Sequence, residues 1–338
     1  MVSKYYQPCS LNLLTLLGLV LSSSQYCYLV SFSHEQTLIN QVIYLMATSR
    51  SSATATMLGA ASQMIVTAGY HRQNSSKATA SEPSFWRAYI LDQELSLRLG
   101  KPPLFFEELV DHLPQITPFD KYGLIKLHDS STLNYFREQV ILATLQSQVY
   151  RELRSPRSAN QSCEKFLIEY FALQDKIHKW KDSINLPLGL SSIPADIGSE
   201  LSESTALLQF GYHQTLIAIH AAIFLHLPLF NNLAVRDQVP KAIDYCAKSG
   251  RDLISIFNSY YLMHPLALYF VNFIPWNIDG LFLYMMQNKR RTQTRKDLEL
   301  LNALLDYVQE CIPGYNEDPG FISLGITYRV AMEVIAPL

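Results

Sequence analysis

The chain has 338 residues, with 27 Lys and Arg against 29 Asp and Glu, a formal charge of −2 and a pI near 6.5. That balance excludes a surface that grips nucleic acid through overall positive charge. With 49% hydrophobic and only 17% charged residues, intrinsic disorder is excluded as well, and the length suffices for one large helical domain over residues 1–338.

The N-terminal stretch carries Lys4 and then an apolar run from Leu11 to Leu21, the outline of a secretory signal. Asn12 and Thr15 interrupt it, and Leu11, Leu14, Leu17, Gly18 and Leu21 fit one face of a buried helix instead. Ser33 and Gln36 form a capping box ahead of Leu38, Ile39, Val42, Leu45 and Met46. A second helix follows over Met57, Leu58, Ala61, Met64, Ile65 and Ala68, closed by Gly69.

After a polar loop, Ser81 caps a third helix with Pro83 in its first turn. The stretch FWRAYILDQELSLRLGKPPLF, residues 85–105, sorts on a helix into a thin polar seam of Arg87, Glu94 and Arg98 between two apolar flanks. Asp92 falls away from that seam, beside Phe85, Ser96 and Leu99. A carboxylate in that position needs a partner, because an unpaired buried charge costs several kcal/mol or more. Gly100 with Pro102 and Pro103 is a stop signal.

Residues 101–129 read as irregular. A long helix follows Ser130 with Leu133, Phe136, Val140, Ile141, Leu145 and Val149 inward, and another begins near Ser162. The loop at 185–200 is the sharpest internal break and the one candidate sub-boundary. Later helices are expected at about 202–226, 238–258, 265–287 and 294–311, with a short closing helix after Pro319. Charge is scarce between Ser204 and Val235 and between Tyr260 and Gln287, but histidines and prolines break both stretches, so buried core helices are expected there and not membrane spans. The expectation is an all-α fold, a packed array of roughly ten helices with long irregular loops.

Catalytic constellations are missing from the sequence: it has no GxSxG, GxxxxGK[ST], GxGxxG or HExxH. The cysteines at 9, 27, 163, 246 and 311 have no CxxC or zinc-ligand spacing, so reduced, mostly buried thiols are expected, with no metal and no cofactor. His213 and His220 lie seven apart, about 10 Å along a helix, too far to share one ion. Each is expected to be a hydrogen-bonded core histidine. One basic run, KRRTQTRK, holds Lys289, Arg290, Arg291, Arg295 and Lys296. It reads either as a nuclear-import run or as a solvated linker whose last cations open the next helix.

The block Phe85-Trp86, Tyr89-Ile90-Leu91-Asp92, Leu95-Ser96 and Gly100-Lys101-Pro102-Pro103 resembles the fungal-specific transcription factor domain, the middle homology region of zinc binuclear-cluster regulators. Lys101 stands where that pattern usually has Arg. The upstream LGAASQMIVTAGYHRQ is similar to the family's alanine-rich helix, which extends the likeness over residues 57–105. LLQFGYHQTLIAIHAAIF and YCAKSGRDLISIF resemble its later helices. The six closely spaced cysteines of the zinc cluster are absent from this sequence.

The resemblance implies a nuclear, non-enzymatic regulator of a metabolic gene set, secondary metabolism included. Such a chain works through a DNA-binding factor or coregulator, reaches DNA only indirectly, and answers a small-molecule effector. Within that frame Asp92 is expected to pair with Arg72, just past the preceding helix, as a structural lock. The competing expectation is a secreted or membrane-associated helical enzyme or binding protein that uses residues 1–30 as signal or anchor.

Overall fold

The computed structural model describes residues 34–47, 51–71, 78–106, 123–126, 132–184, 200–225, 232–259, 269–271, 274–276, 278–311, 315–317 and 319–335. Among these residues ten α-helices have nine residues or more: α1 (His34–Ala47), α2 (Ser51–Thr67), α3 (Ala78–Leu99), α4 (Tyr135–Val149), α5 (Cys163–Ser183), α6 (Glu200–Leu225), α7 (Val239–Ser259), α8 (Asp279–Gln287), α9 (Thr292–Cys311) and α10 (Pro319–Ile335). The all-α expectation therefore holds, and the closing helix is present.

The middle of the array is α6. Every residue from Glu203 to His220 is buried, and from Ser204 onward this stretch is apolar or neutral on all its faces and enclosed by others. It packs against α7, α4 and α5, while α8 packs on α7. That enclosure is the physical reason for the missing charge after Ser204. Among the described residues no helix is long and apolar enough to cross a membrane. The N-terminal helices α1 and α2 pack on one another and on α3, which leans on α4. Their buried side chains join those of the later helices in one contiguous apolar cluster.

Close approach of α8 to α7 depends on Gly280. A Cβ at that position would stand 2.2 Å from the Cβ of Cys246, far inside contact distance. Gly211 on α6 has a softer neighbour, since a Cβ there would meet the Leu142 side chain end at 2.6 Å.

Four boundaries differ from the sequence expectation. α3 starts at Ala78 and not after Ser81, because Ala78, Thr79 and Ala80 continue the helix backward and Pro83, so near the N-terminus, removes only one helical hydrogen bond. The stretch around 124–134 is not wholly irregular: β1 (Leu124–Lys126) and β2 (Thr132–Asn134) pair antiparallel with Leu124 opposite Asn134. Two strands of three residues are too short to show an alternating pattern in sequence. The next helix consequently begins at Tyr135 and not at Ser130, capped by Asn134, whose Oδ1 accepts from the Arg137 N–H at 3.0 Å. The helix expected over 265–287 is divided, with helical residues at 269–271, a 3₁₀ turn at Ile274–Trp276 and α8 from Asp279. Pro275 in that turn has no N–H to give to a helix.

Candidate functional site

The 85–105 block folds into a corner, and its residue types explain the geometry. Phe85, Trp86, Tyr89 and Phe105 form a buried ring cluster, with Phe85 edge-on to Trp86 at 5.0 Å and to Phe105 at 5.3 Å between centroids. Phe105 reaches this cluster because Gly100, at φ +63°, turns the chain back at the end of α3. Asp92 then closes the corner. It is 2% exposed, and its Oδ2 accepts from the backbone N–H of Leu104 at 2.7 Å and of Phe105 at 2.8 Å. The neighbouring Gln93 side chain donates to the Phe105 carbonyl at 3.0 Å.

Asp92 thus has the buried place the sequence led us to expect, held by backbone donors thirteen residues downstream at most. Burial pushes its carboxyl up to about 7, against the pull of the two N–H groups. Arg72, the expected partner, lies outside the described residues.

The polar seam of α3 is not uniformly solvated. Glu94 accepts a hydrogen bond from the Tyr269 hydroxyl, and burial pushes its carboxyl up to about 7 in spite of that bond. Arg98 is only 7% exposed and turns inward onto a cavity of about 480 Å³.

Four helices and a π-helical turn build this cavity. Leu97, Arg98 and Leu99 come from α3, and Gly100 from the turn after it. Ile217, Ala218, Ala221 and Phe224 of α6 supply an apolar wall, with the buried Gln214 amide beside them. Cys246 of α7 and Asp279, Gly280 and Leu283 of α8 complete it. Arg154 enters from the end of α4, where the helix widens into a π-helical turn over Tyr150–Arg154. Such turns often sit at functional positions because the extra residue redirects a side chain.

Electrically the cavity is positive on one side. Burial lowers the Arg154 pKa from its usual value, and Tyr150 acts on it in the opposite sense. Among the described residues no carboxylate forms an ion pair with Arg154. Asp279 sits exposed at the rim. Packing pushes its carboxyl upward. The Cys246 thiol is pushed up to about 12 by burial first and Asp279 second, so it is a neutral wall residue and no nucleophile.

The two histidines of α6 occupy the core. His220 Nδ1 is 2.6 Å from the Tyr170 hydroxyl, and its ring stacks on Tyr245 at 4.3 Å. His213 Nδ1 lies 3.7 Å from an Asp252 oxygen, beyond hydrogen-bond reach. Burial depresses both to about 3, so both are neutral at physiological pH. For His220 the expected hydrogen bond is present. Among the described residues no group of three His, Cys, Asp or Glu side chains is arranged to hold a metal ion.

The basic run opens α9. Lys289, Arg290, Arg291, Arg295 and Lys296 are all exposed, while Thr294 between them is fully buried and donates to the Asn288 carbonyl at 2.7 Å. Asp297, which the sequence did not single out, anchors this helix to α7. Arg251 donates to its two oxygens at 2.7 and 2.8 Å and lies over the Tyr284 ring at 4.5 Å. The anchored turn leaves five cations free to face solvent.

Sequence reasoning also missed Arg154. Its context, RELRSPR, is an ordinary charged stretch at a helix end, and only the π turn and the return of α3 bring it beside Arg98 on one cavity.

The described residues thus hold an enclosed central helix, a cavity and an exposed basic turn. The chain is similar to transcription regulators of fungi. It is 24% identical over 297 residues, 82% of its length, to an ABC-transporter-regulating transcription factor of Aspergillus fumigatus, of which this covers 33%. It is 23% identical over 317 residues, 87% of its length, to a transcriptional regulatory protein of Schizosaccharomyces pombe, of which this covers 39%. A shorter match, 25% identical over 155 residues, is to a fusaridione A cluster transcription factor of Fusarium heterosporum. The matched part thus spans about a third of the length of these curated relatives. No family model matches the chain, and no solved structure does.

Proposed function

We propose that this chain is a helical regulatory region of a fungal transcription regulator controlling a metabolic gene set, secondary metabolism included, and that it is not an enzyme. The observation that carries this reading is the similarity to fungal transcription factors over 82% of the chain. The fusaridione A cluster factor among the relatives supports the metabolic setting. These helices work in the nucleus through protein contacts with a DNA-binding factor or coregulator and reach DNA only indirectly. Their near-neutral charge supports that part of the reading. The cavity under α3 is the seat of a small-molecule effector, its volume falling in the usual range for such sites.

A C-terminal fluorescent fusion imaged in a fungal cell tests the reading, with Lys289, Arg290, Arg291, Arg295 and Lys296 changed to Ala and the buried Thr294 and Asp297 left in place. Nuclear signal that disperses in the variant supports a regulator carried in by its own basic turn. Nuclear signal that persists transfers import to other residues or to a partner. Signal in the endoplasmic reticulum or the medium sinks the transcription reading.

A further inference from the structure

A guanidinium placed out of water without a counter-charge is unfavourable in the free protein. Arg154 is half-buried and so partly withdrawn from water: burial lowers its pKa, and among the described residues no carboxylate is paired with it. Its Nη2 reaches over the end of α3, 4.0 Å from where a Cβ would stand at Gly100, which is itself on the cavity wall. Arg98, itself buried, brings a second guanidinium to the same cavity. On the same cavity Ile217, Ala221 and Phe224 of α6 and Leu283 of α8 offer only hydrocarbon.

We propose that the cavity binds a small amphipathic organic acid. Its carboxylate is held by the Arg154 fork, Arg98 adds positive potential, and its apolar body lies along Phe224, Ala221 and Leu283. A planar carboxylate matches the fixed donors of a guanidinium, which a hydroxyl or amide does not. The remaining polar groups fit this orientation. Gln214 is neutral, the Cys246 thiol stays protonated, and Asp279 at the exposed rim repels an anion placed beside it, so the acid group is driven to the arginine end. The proposal deepens the effector reading above by naming the ligand's class, and its test is independent of that reading. A chain found outside the nucleus would sink the regulatory reading and leave the binding result untouched.

The test is calorimetric titration of the full chain with 2-naphthoate and with 2-naphthamide, two probes of nearly equal shape that differ in charge. The acid is expected to bind at least about tenfold tighter than the amide, the effect of one charge-assisted bond pair. Arg154→Gln should bring the two within about twofold of each other, by loss of acid affinity alone. Ala221→Phe, which fills the apolar end, should weaken both probes. Should Arg154→Gln fail to fold, Arg154→Lys takes its place and is expected to keep a reduced preference for the acid, because the charge remains and the fork is lost. Equal wild-type affinities, an acid preference that survives Arg154→Gln, indifference of both probes to Ala221→Phe, or no binding of the acid would each overturn the proposal.

Discussion

Two ionisable groups in this molecule, the buried Asp92 and the half-buried Arg154, have opposite surroundings. Asp92 sits in the corner where α3 ends and meets two backbone N–H groups of the returning chain. Arg154 sits at the end of α4 beside a cavity, with no carboxylate paired to it among the described residues. The first charge is satisfied by its own fold and serves architecture. The second is left for something the fold does not contain. Burial alone therefore says little about function; what decides is whether the surrounding backbone answers the charge.

The sharpest way to break this contrast is Asp92→Ala. It leaves the buried Phe105 N–H and the part-buried Leu104 N–H without an acceptor and releases the loop that carries Phe105 into the aromatic cluster. The expected loss in a urea melt is about 2–5 kcal/mol, at about 1–3 per orphaned donor. Asp92→Asn retains one acceptor and should lose less than half as much. Arg87→Ala, at a half-buried position on the seam, should cost well under the Asp92→Ala change. If Arg87→Ala proved the larger, the corner would not depend on Asp92.

Next in size is Gly280→Ala, on the cavity wall itself. The added carbon would overlap the Cys246 Cβ, a rigid position at 2.2 Å, and must push α8 off α7. Overpacking of this kind costs about 1–3 kcal/mol. Gly211→Ala should cost less, because Leu142 can swing its terminal carbon aside. The order of the two melting temperatures checks this, and cavity binding of 2-naphthoate should fall only in the Gly280 variant.

A third measurement compares charges by pH. Asp92 and Glu94 are raised to about 7, so each contributes stability that is full below its unfolded pKa and lost as pH rises toward 7. His213 and His220 are lowered to about 3, so each contributes stability present above about 6.5 and lost as pH falls. Between about pH 4.5 and 6.5 the unfolded chain holds two of these protons on imidazoles and the folded chain two on carboxyls. The opposing slopes cancel. Asp92→Asn unbalances them, and relative to the wild type stability should then gain about 1.4 kcal/mol per pH unit across that window. His220→Gln should give a fall of the same size. A wild-type chain that gains stability steeply between pH 5 and 6 would mean that the buried carboxyls are ionised in the fold.

Much of this architecture was legible beforehand because helices announce themselves by periodicity. The faces of α1, α2 and α7, the stop at Gly100 and the interior place of Asp92 all follow from residue spacing. The partners of Asp92 did not, because a backbone N–H looks the same at every position in a sequence. The three-residue strands carry too few residues for a pattern, and Pro275 left its mark as a broken helix where hydrophobicity alone read as continuous. The cavity is least legible of all. It depends on where α3, α4, α6, α7 and α8 converge, and Arg154 and Asp297 acquire meaning only from residues distant in the chain.

The smallest expected effect separates the two charges most cleanly. Arg154→Gln removes a cation that loses solvation on folding and gains no ion pair among the described residues. Its deletion leaves no carboxylate stranded, so the urea midpoint should move by no more than about 0.5 kcal/mol, with a gain in stability as acceptable as a loss. Asp92→Ala, at the more deeply buried of the two sites, should cost several times more. A loss above about 2 kcal/mol for Arg154→Gln would show that the guanidinium already has a partner in the free chain. In that case Arg154 would join Asp92 as a piece of architecture, and the positive end of the cavity would fall to Arg98 alone.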